Sequence, residues 1–112
     1  YLTGTAQSEV TIASTSQAYD VVAGEWATEL LEPLGVPARI FPRVVADGTG
    51  YGNLNGTFGA GNVPVIAPGG HDTACAVAAV PAEEGRGWAY LSSGTWSLLG
   101  VETPAPVRTP AA

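Results

Sequence analysis

Trp26, Leu30, Leu31 and Leu34 fall at i, i+4, i+5 and i+8, with Glu25, Glu29 and Glu32 between them. That spacing lays one apolar stripe along a helix and predicts an α-helix over residues 25–34. Gly35 suits its end, and Pro37 can start a further short turn. Residues 8–17 read two ways. Val10 and Ile12 alternate with polar neighbours as in a strand, while the Ser/Thr cluster after Ile12-Ala13 could open a helix, which is the reading preferred here. Residues 19–22 make a short extended piece. The glycine-rich stretch 47–62 reads as loop or short irregular strands in which Tyr51, Leu54 and Phe58 must pack. Residues 63–67 form a β-branched apolar run and predict a buried strand. Residues 72–80 predict a helix with Asp72 as its N-cap and Pro81 as its stop. Its small side chains predict close packing against a neighbour. Residues 88–91 and 95–101 predict two strands joined by a tight turn at Ser93-Gly94.

Composition narrows the class. The chain has 112 residues, a 46% hydrophobic share and 12% charged residues, which suits folded protein and not disorder. All four basic residues are arginines, against ten acidic ones, for a net charge of −6. A nucleic-acid groove or a polybasic membrane surface needs a dense basic stripe, so both are disfavoured. No apolar run approaches the ~20 residues of a membrane span. No secretion signal is visible. One cysteine, Cys75, and one histidine, His71, exclude an internal disulfide and a Cys- or His-rich metal site. A reducing compartment is the simple reading. Glycine and proline together make about a fifth of the chain, which implies many turns. The opening Tyr1-Leu2-Thr3-Gly4 reads like the close of a helix, and the end is a Pro/Ala-rich tail, so a fragment of a longer protein is expected.

Two places can carry chemistry. In Gly69-Gly70-His71-Asp72-Thr73 a strand ends, glycines remove side chains, and a carboxylate stands at a helix start. Ligands gather beyond the carboxyl ends of strands in open α/β sheets, and Asp72 could there accept a proton from a substrate hydroxyl. The competing reading is a cap bonded to the N–H of Cys75, which spacing alone favours. His71 alone is more often structural, but its neighbours raise the functional reading. The second place is Ser92-Ser93-Gly94-Thr95, whose hydroxyls and N–H groups could meet phosphate oxygens as an anion nest, against the simpler reading of an ordinary hairpin turn. There is no lysine, and no arginine stands beside either site in sequence. Trp26, Leu30 and Leu31 are expected to form a core stripe. Cys75 is expected to be buried and inert, and Trp88, Tyr90 and Trp96 to pack on a sheet. Glu83-Glu84-Gly85-Arg86-Gly87 is the best candidate boundary.

Taken in order, Val65-Ile66-Ala67, the glycines, His71-Asp72-Thr73-Ala74-Cys75-Ala76-Val77 and Tyr90-Leu91-Ser92-Ser93-Gly94-Thr95-Trp96-Ser97-Leu98-Leu99-Gly100 resemble the FGGY family of carbohydrate kinases. Thr11-Ile12-Ala13-Ser14-Thr15-Ser16, Tyr19-Asp20 and the region from Trp26 to Leu34 are similar to the same part of that family. The resemblance implies an α/β fragment of an actin-like, ribonuclease-H-like two-domain kinase fold. Residues 1–84 would close the first, sugar-binding domain, and 85–112 would open the second, nucleotide-binding one with its first β-hairpin. It implies Asp72 as catalytic base, with His71, Asp72 and Thr73 binding sugar and Thr95, Gly94 and Ser93 contacting ATP; this reverses the preference for a mere cap. The implied reaction is ATP-dependent phosphorylation of L-rhamnulose at O1 in a cytoplasmic enzyme. The alternatives are another ketose or polyol as substrate, a non-catalytic sugar-binding module, or a plain structural piece in which Asp72 only caps. ATP and Mg2+ are implied, with the metal ligands, the amino-terminal phosphate loop and the adenine site outside these residues. The partners implied are sugar, ATP and the rest of the kinase chain, without nucleic acid or membrane. The isolated 112 residues are expected to be inactive.

Overall fold

A computed structural model describes residues 1–58, 62–83 and 87–109. The chain divides into two compact units, Tyr1–His71 and Asp72–Ala112. Residues 84–86, and with them the expected boundary at 84/85, lie outside the described residues.

In the first unit, β1 (Gln7–Glu9) pairs in parallel with β4 (Arg43–Val45), Glu9 lying opposite Val45. A parallel pair needs a long crossover, and everything from residue 10 to 42 serves as one. Helix α1 (Val10–Ala13) leaves β1 directly, so residues 8–17 hold both a strand end and a helix. The Ser/Thr cluster ends α1 instead of opening a helix. The hydroxyls of Ser14, Thr15 and Ser16 donate to the carbonyls of Thr11, Ile12 and Ala13. The Thr11 carbonyl is met by a hydroxyl, while those of Ile12 and Ala13 also accept from the N–H groups of Thr15 and Ser16, and Gln17 then turns into the left-handed region at φ 63°.

The predicted helix over 25–34 is mostly not formed. Tyr19–Asp20 (β2) and Glu25–Trp26 (β3) make a small antiparallel hairpin instead. Its turn is built by Asp20, whose Oδ1 accepts from the N–H groups of Val22 and Ala23, and by Gly24 at φ 74°. Trp26 stays half-buried because tertiary partners hold it. Its indole N–H donates to the Pro42 carbonyl at 2.7 Å, and its ring sits 4.7 Å from Phe41 and 5.8 Å, edge-on, from Tyr19. Only Thr28–Leu31 is left for α2. Leu31 is buried, whereas Leu30 and Leu34 face solvent, so the expected core stripe reduces to one leucine with Trp26. The end is as expected. Gly35 adopts φ 69°, its N–H bonds to the Glu32 carbonyl and that of Val36 to Leu31, which together close a Schellman cap. Pro37 precedes a 3-10 turn at Ala38–Ile40.

Strands β5 (Gly50–Asn53) and β6 (Pro64–Ile66) pair antiparallel, with an irregularity between Gly50 and Gly52. Tyr51 and Leu54 are half-buried, and the side chain of Phe58 lies outside those described. β6 is a strand but not the buried one expected: Ile66 is 57% exposed, because β5 is its single partner. The core of the unit holds Ala13, Ala18, Leu31, Val45 and Ala67, with Glu9 as the buried charged residue among them. Residues 1–6 are irregular, not the end of a helix, although Gly4 does take a left-handed turn at φ 77°.

The second unit comprises α3 (Asp72–Ala78) and the hairpin of β7 (Ala89–Ser93) and β8 (Ser97–Val101). The two strands pair in register from Ala89↔Val101 to Ser93↔Ser97, so the turn is Gly94-Thr95-Trp96, one residue longer and later than Ser93-Gly94. Strand alternation puts Tyr90, Ser92, Leu98 and Gly100 on a half-buried face. Tyr90 lies over Gly100, where a Cβ would meet its hydroxyl at 2.5 Å. Leu91, Leu99 and Val101 face outward, with Leu99 78% exposed. Trp96 is 71% exposed at the turn and does not pack on the sheet as expected, whereas Trp88 and Tyr90 do meet, with ring centroids 6.2 Å apart. α3 buries no residue and Cys75 is exposed, against the expectation of close packing and a buried thiol. Small side chains permit close packing without supplying apolar area to enforce it. Among the described residues, no helix is long and apolar enough to cross a membrane.

Candidate active site

The loop that leaves β6 runs Ala67-Pro68-Gly69-Gly70-His71 and is held on the first unit by two side chains far away in sequence. The Gly70 N–H donates to Glu9 Oε2 at 2.9 Å and to Thr11 Oγ1 at 3.1 Å. The His71 N–H donates to the same Thr11 Oγ1 at 3.1 Å. Thr11 is tied to Glu9 in turn: its hydroxyl donates to Oε2 and its N–H to Oε1, the latter at 2.8 Å. Glu9 is only 6% exposed and is the N-cap of α1. Burial pushes its carboxyl up. Hydrogen bonds from the Thr11 hydroxyl and from the N–H groups of Thr11, Gly70 and Ile12 outweigh that, and the carboxyl lies below the ordinary glutamate value. Gly70 is required by close approach. A Cβ there would sit 2.7 Å from Ile12 Cγ1 and 3.3 Å from Glu9 Oε2. Local sequence pattern does not mark Glu9 as a partner of the Gly70 loop. The faint signal was an acidic side chain two positions before a threonine at a helix start.

Of the predicted sugar-site residues, His71 ends the first unit, half-buried, with its backbone anchored as described. Asp72 opens α3 in the second unit and is exposed. It is the first helical residue and not the one before it. Its Oδ1 accepts from the Thr73 N–H at 2.6 Å and the Thr73 hydroxyl at 3.3 Å, whereas the sequence reading chose Cys75 as donor. Oδ2 has no hydrogen-bond partner among the described residues and remains able to accept a proton from a bound hydroxyl. Thr73 is half-buried beside it.

Ser93, Gly94 and Thr95 stand together at the tip of the β7–β8 hairpin, all exposed. One N–H suggested for an anion nest is already occupied, since Gly94 donates to the Trp96 carbonyl at 3.1 Å. The hydroxyls of Ser93 and Thr95 are donors on exposed residues of the tip. Among the described residues, no three His, Cys, Asp or Glu side chains gather where they could hold a metal ion. A cleft of about 500 Å³ opens in the first unit against Leu2, Tyr51, Val65, Ile66 and Pro68, and none of the predicted site residues lines it.

An exposed carboxylate at a strand-to-helix corner and a hydroxyl-bearing hairpin tip can serve proton abstraction and phosphate contact. Known proteins bear on which chemistry applies. Residues 1–79 match the model of the FGGY family of carbohydrate kinases, N-terminal domain. A protein named rhamnulokinase from Bacteroides thetaiotaomicron is 50% identical over an alignment of 112 positions that covers 96% of this chain and 23% of that protein. One so named from Pectobacterium atrosepticum is 44% identical over 99% of this chain and 22% of its own length. Another from Enterococcus faecalis is 43% identical over 90% of this chain and 21% of its own. The chain thus spans less than a quarter of each of these relatives. The glycine corner, the His71-Asp72-Thr73 triplet and the match over most of the residues lead to one assignment: the chain belongs to the FGGY family of carbohydrate kinases.

Proposed function

We propose that these residues form the central part of an ATP-dependent sugar kinase in which Asp72 is the general base, and that the sugar is L-rhamnulose, phosphorylated at O1. The observation that carries the reading is the family match over residues 1–79, which takes in a carboxylate whose Oδ2 is open, supported by relatives named rhamnulokinase. A sugar hydroxyl is a weak nucleophile while it keeps its proton. A carboxylate within reach accepts that proton as the new O–P bond forms and the bond from the γ-phosphorus to the bridging oxygen breaks, releasing ADP. His71 and Thr73 flank the base and would orient the sugar. Ser93, Gly94 and Thr95 would contact the phosphates of ATP through hydroxyl and backbone donors. Mg2+ brought with ATP would take its protein ligands largely from residues outside this segment.

In this reading residues 1–84 close the sugar-binding domain and 85–112 begin the nucleotide-binding domain of an actin-like, ribonuclease-H-like enzyme of the cytoplasm. Base and phosphate hairpin then belong to different domains. Closure of the two would exclude water and make phosphoryl transfer conditional on bound sugar.

The test is Asp72→Asn in the full-length protein, assayed for phosphorylation of L-rhamnulose with ATP. Asn keeps an Oδ1 that can accept from the Thr73 N–H and hydroxyl, so the local contacts are kept. The rate should fall by about 10²–10⁴-fold. Turnover near that of the unsubstituted enzyme would remove Asp72 from the base role. A panel of ketoses and polyols tests the sugar: a higher kcat/KM for any of them than for L-rhamnulose would reassign the substrate and leave the reaction class standing.

A further inference from the structure

Glu9 does more than a helix cap requires. A cap on α1, only four residues long, uses one oxygen for one N–H, and Oε1 does this with Thr11. Oε2 and the Thr11 hydroxyl reach across about sixty residues of sequence to the loop that leads into Asp72. The polarity of this arrangement is determined throughout. The single hydroxyl proton of Thr11 goes to the Glu9 carboxylate, so the lone pairs of Oγ1 are left to face the N–H groups of Gly70 and His71. The ionised form of Glu9 suits several donors at once, which a neutral amide could not do. Gly70 is also pressed so close to Ile12 that a methyl group would force the Ile12 side chain to shift. The loop therefore has one seat on the β1–α1 corner, and that seat ends at the residue bonded covalently to Asp72.

We propose that Glu9 and Thr11 are positioning residues for the sugar-phosphorylation step: they clamp the Gly70–His71 backbone and so set where the chain delivers His71 and Asp72 to the sugar. The proposal rests on the kinase reading above. A loosened clamp leaves the residues of the ATP-side hairpin intact. It lowers kcat and weakens sugar binding, while the KM for ATP holds.

The experiment uses the full-length protein with Glu9→Gln, Thr11→Val and Thr11→Ser. Glu9→Gln places an NH2 group against an N–H donor. Thr11→Val keeps the shape but removes the acceptor shared by Gly70 and His71. Both should lower kcat by about 10–100-fold, the scale of a misplacement near 1 Å, with the KM for ATP changed by less than about twofold. Both should also speed amide hydrogen exchange at Gly70 and His71. Thr11→Ser retains the hydroxyl and should recover most of the rate and of the protection. If Glu9→Gln does not fold, the Thr11 pair decides alone. An active parent whose folded variants keep kcat within about twofold, or lose only melting temperature at constant kcat per folded molecule, overturns the positioning role and leaves the kinase reading intact. A parent that phosphorylates no ketose overturns the kinase reading first, and the catalytic part of this proposal falls with it.

Discussion

At the scale of single residues, the two carboxylates of greatest interest differ in environment. Asp72 is exposed with one oxygen open, whereas Glu9 is buried and met by donors on both oxygens. The sequence made Asp72 legible, because glycines followed by a helix-starting Asp have a recognisable spacing. Glu9 was not legible, because its partners Gly70 and His71 are some sixty positions away and nothing in local pattern joins them. Glu9 also predicts a pH dependence. Its carboxyl is held below the ordinary value, so the stability it contributes is fully present above about pH 4.3 and is lost as pH falls through its lowered native value. Denaturant titrations of the full-length protein at pH 7 and in the acid range should show a steeper acid loss for the parent than for Glu9→Gln. Equal slopes would contradict the assigned environment. Gly70→Ala should cost about 1–3 kcal/mol in the same measurement, since its Cβ meets Ile12 at 2.7 Å. A neutral substitution would mean that the loop is not seated as described.

At the scale of elements, periodicity found the right residues and in one place the wrong element. The stripe from Trp26 to Leu34 has helical spacing, yet Trp26 pairs as a strand with Tyr19. The decision was made by the Asp20–Gly24 turn, which reverses the chain, and by Pro42 and Phe41, which receive the indole. A weak local propensity gives way to such contacts. Trp26→Phe keeps the ring but leaves the Pro42 carbonyl without its donor, and should lower stability by about 1–2 kcal/mol. A change within about 0.5 kcal/mol would contradict the bond to Pro42. The hairpin was read more faithfully, because period-two alternation and a serine–glycine break are both local signals. What could not be read was the turn length, which the Ser93↔Ser97 register sets. Thr95→Val at its tip removes an exposed hydroxyl. It should raise the KM for ATP several-fold with the sugar KM unchanged; a change confined to the sugar KM would remove the tip from the nucleotide side.

For the whole molecule, the two units bury little. The buried apolar residues described are three alanines with Leu31 and Val45, while Leu91, Leu99, Trp96 and Ile66 stay exposed. The segment spans less than a quarter of the relatives it matches, and strands that are single pairs here have no further neighbours to cover them. An isolated two-stranded hairpin is marginal in water. Expressed alone, the 112 residues should bind a hydrophobic dye, associate in light scattering and show no kinase activity. A dye-silent monomer would show that the exposed face needs no cover. The sequence by itself determined the family-bearing corner and hairpin, the helix end at Gly35 and the strand at 64–66, because glycine conformation, capping and alternation act over a few neighbouring residues. Tertiary structure alone decided that Trp26 is a strand residue, that Cys75 is exposed, and that Glu9 and Thr11 hold the backbone before Asp72. Each of those depends on which distant atoms arrive within hydrogen-bonding or packing distance, and that is settled only when the chain has folded back on itself.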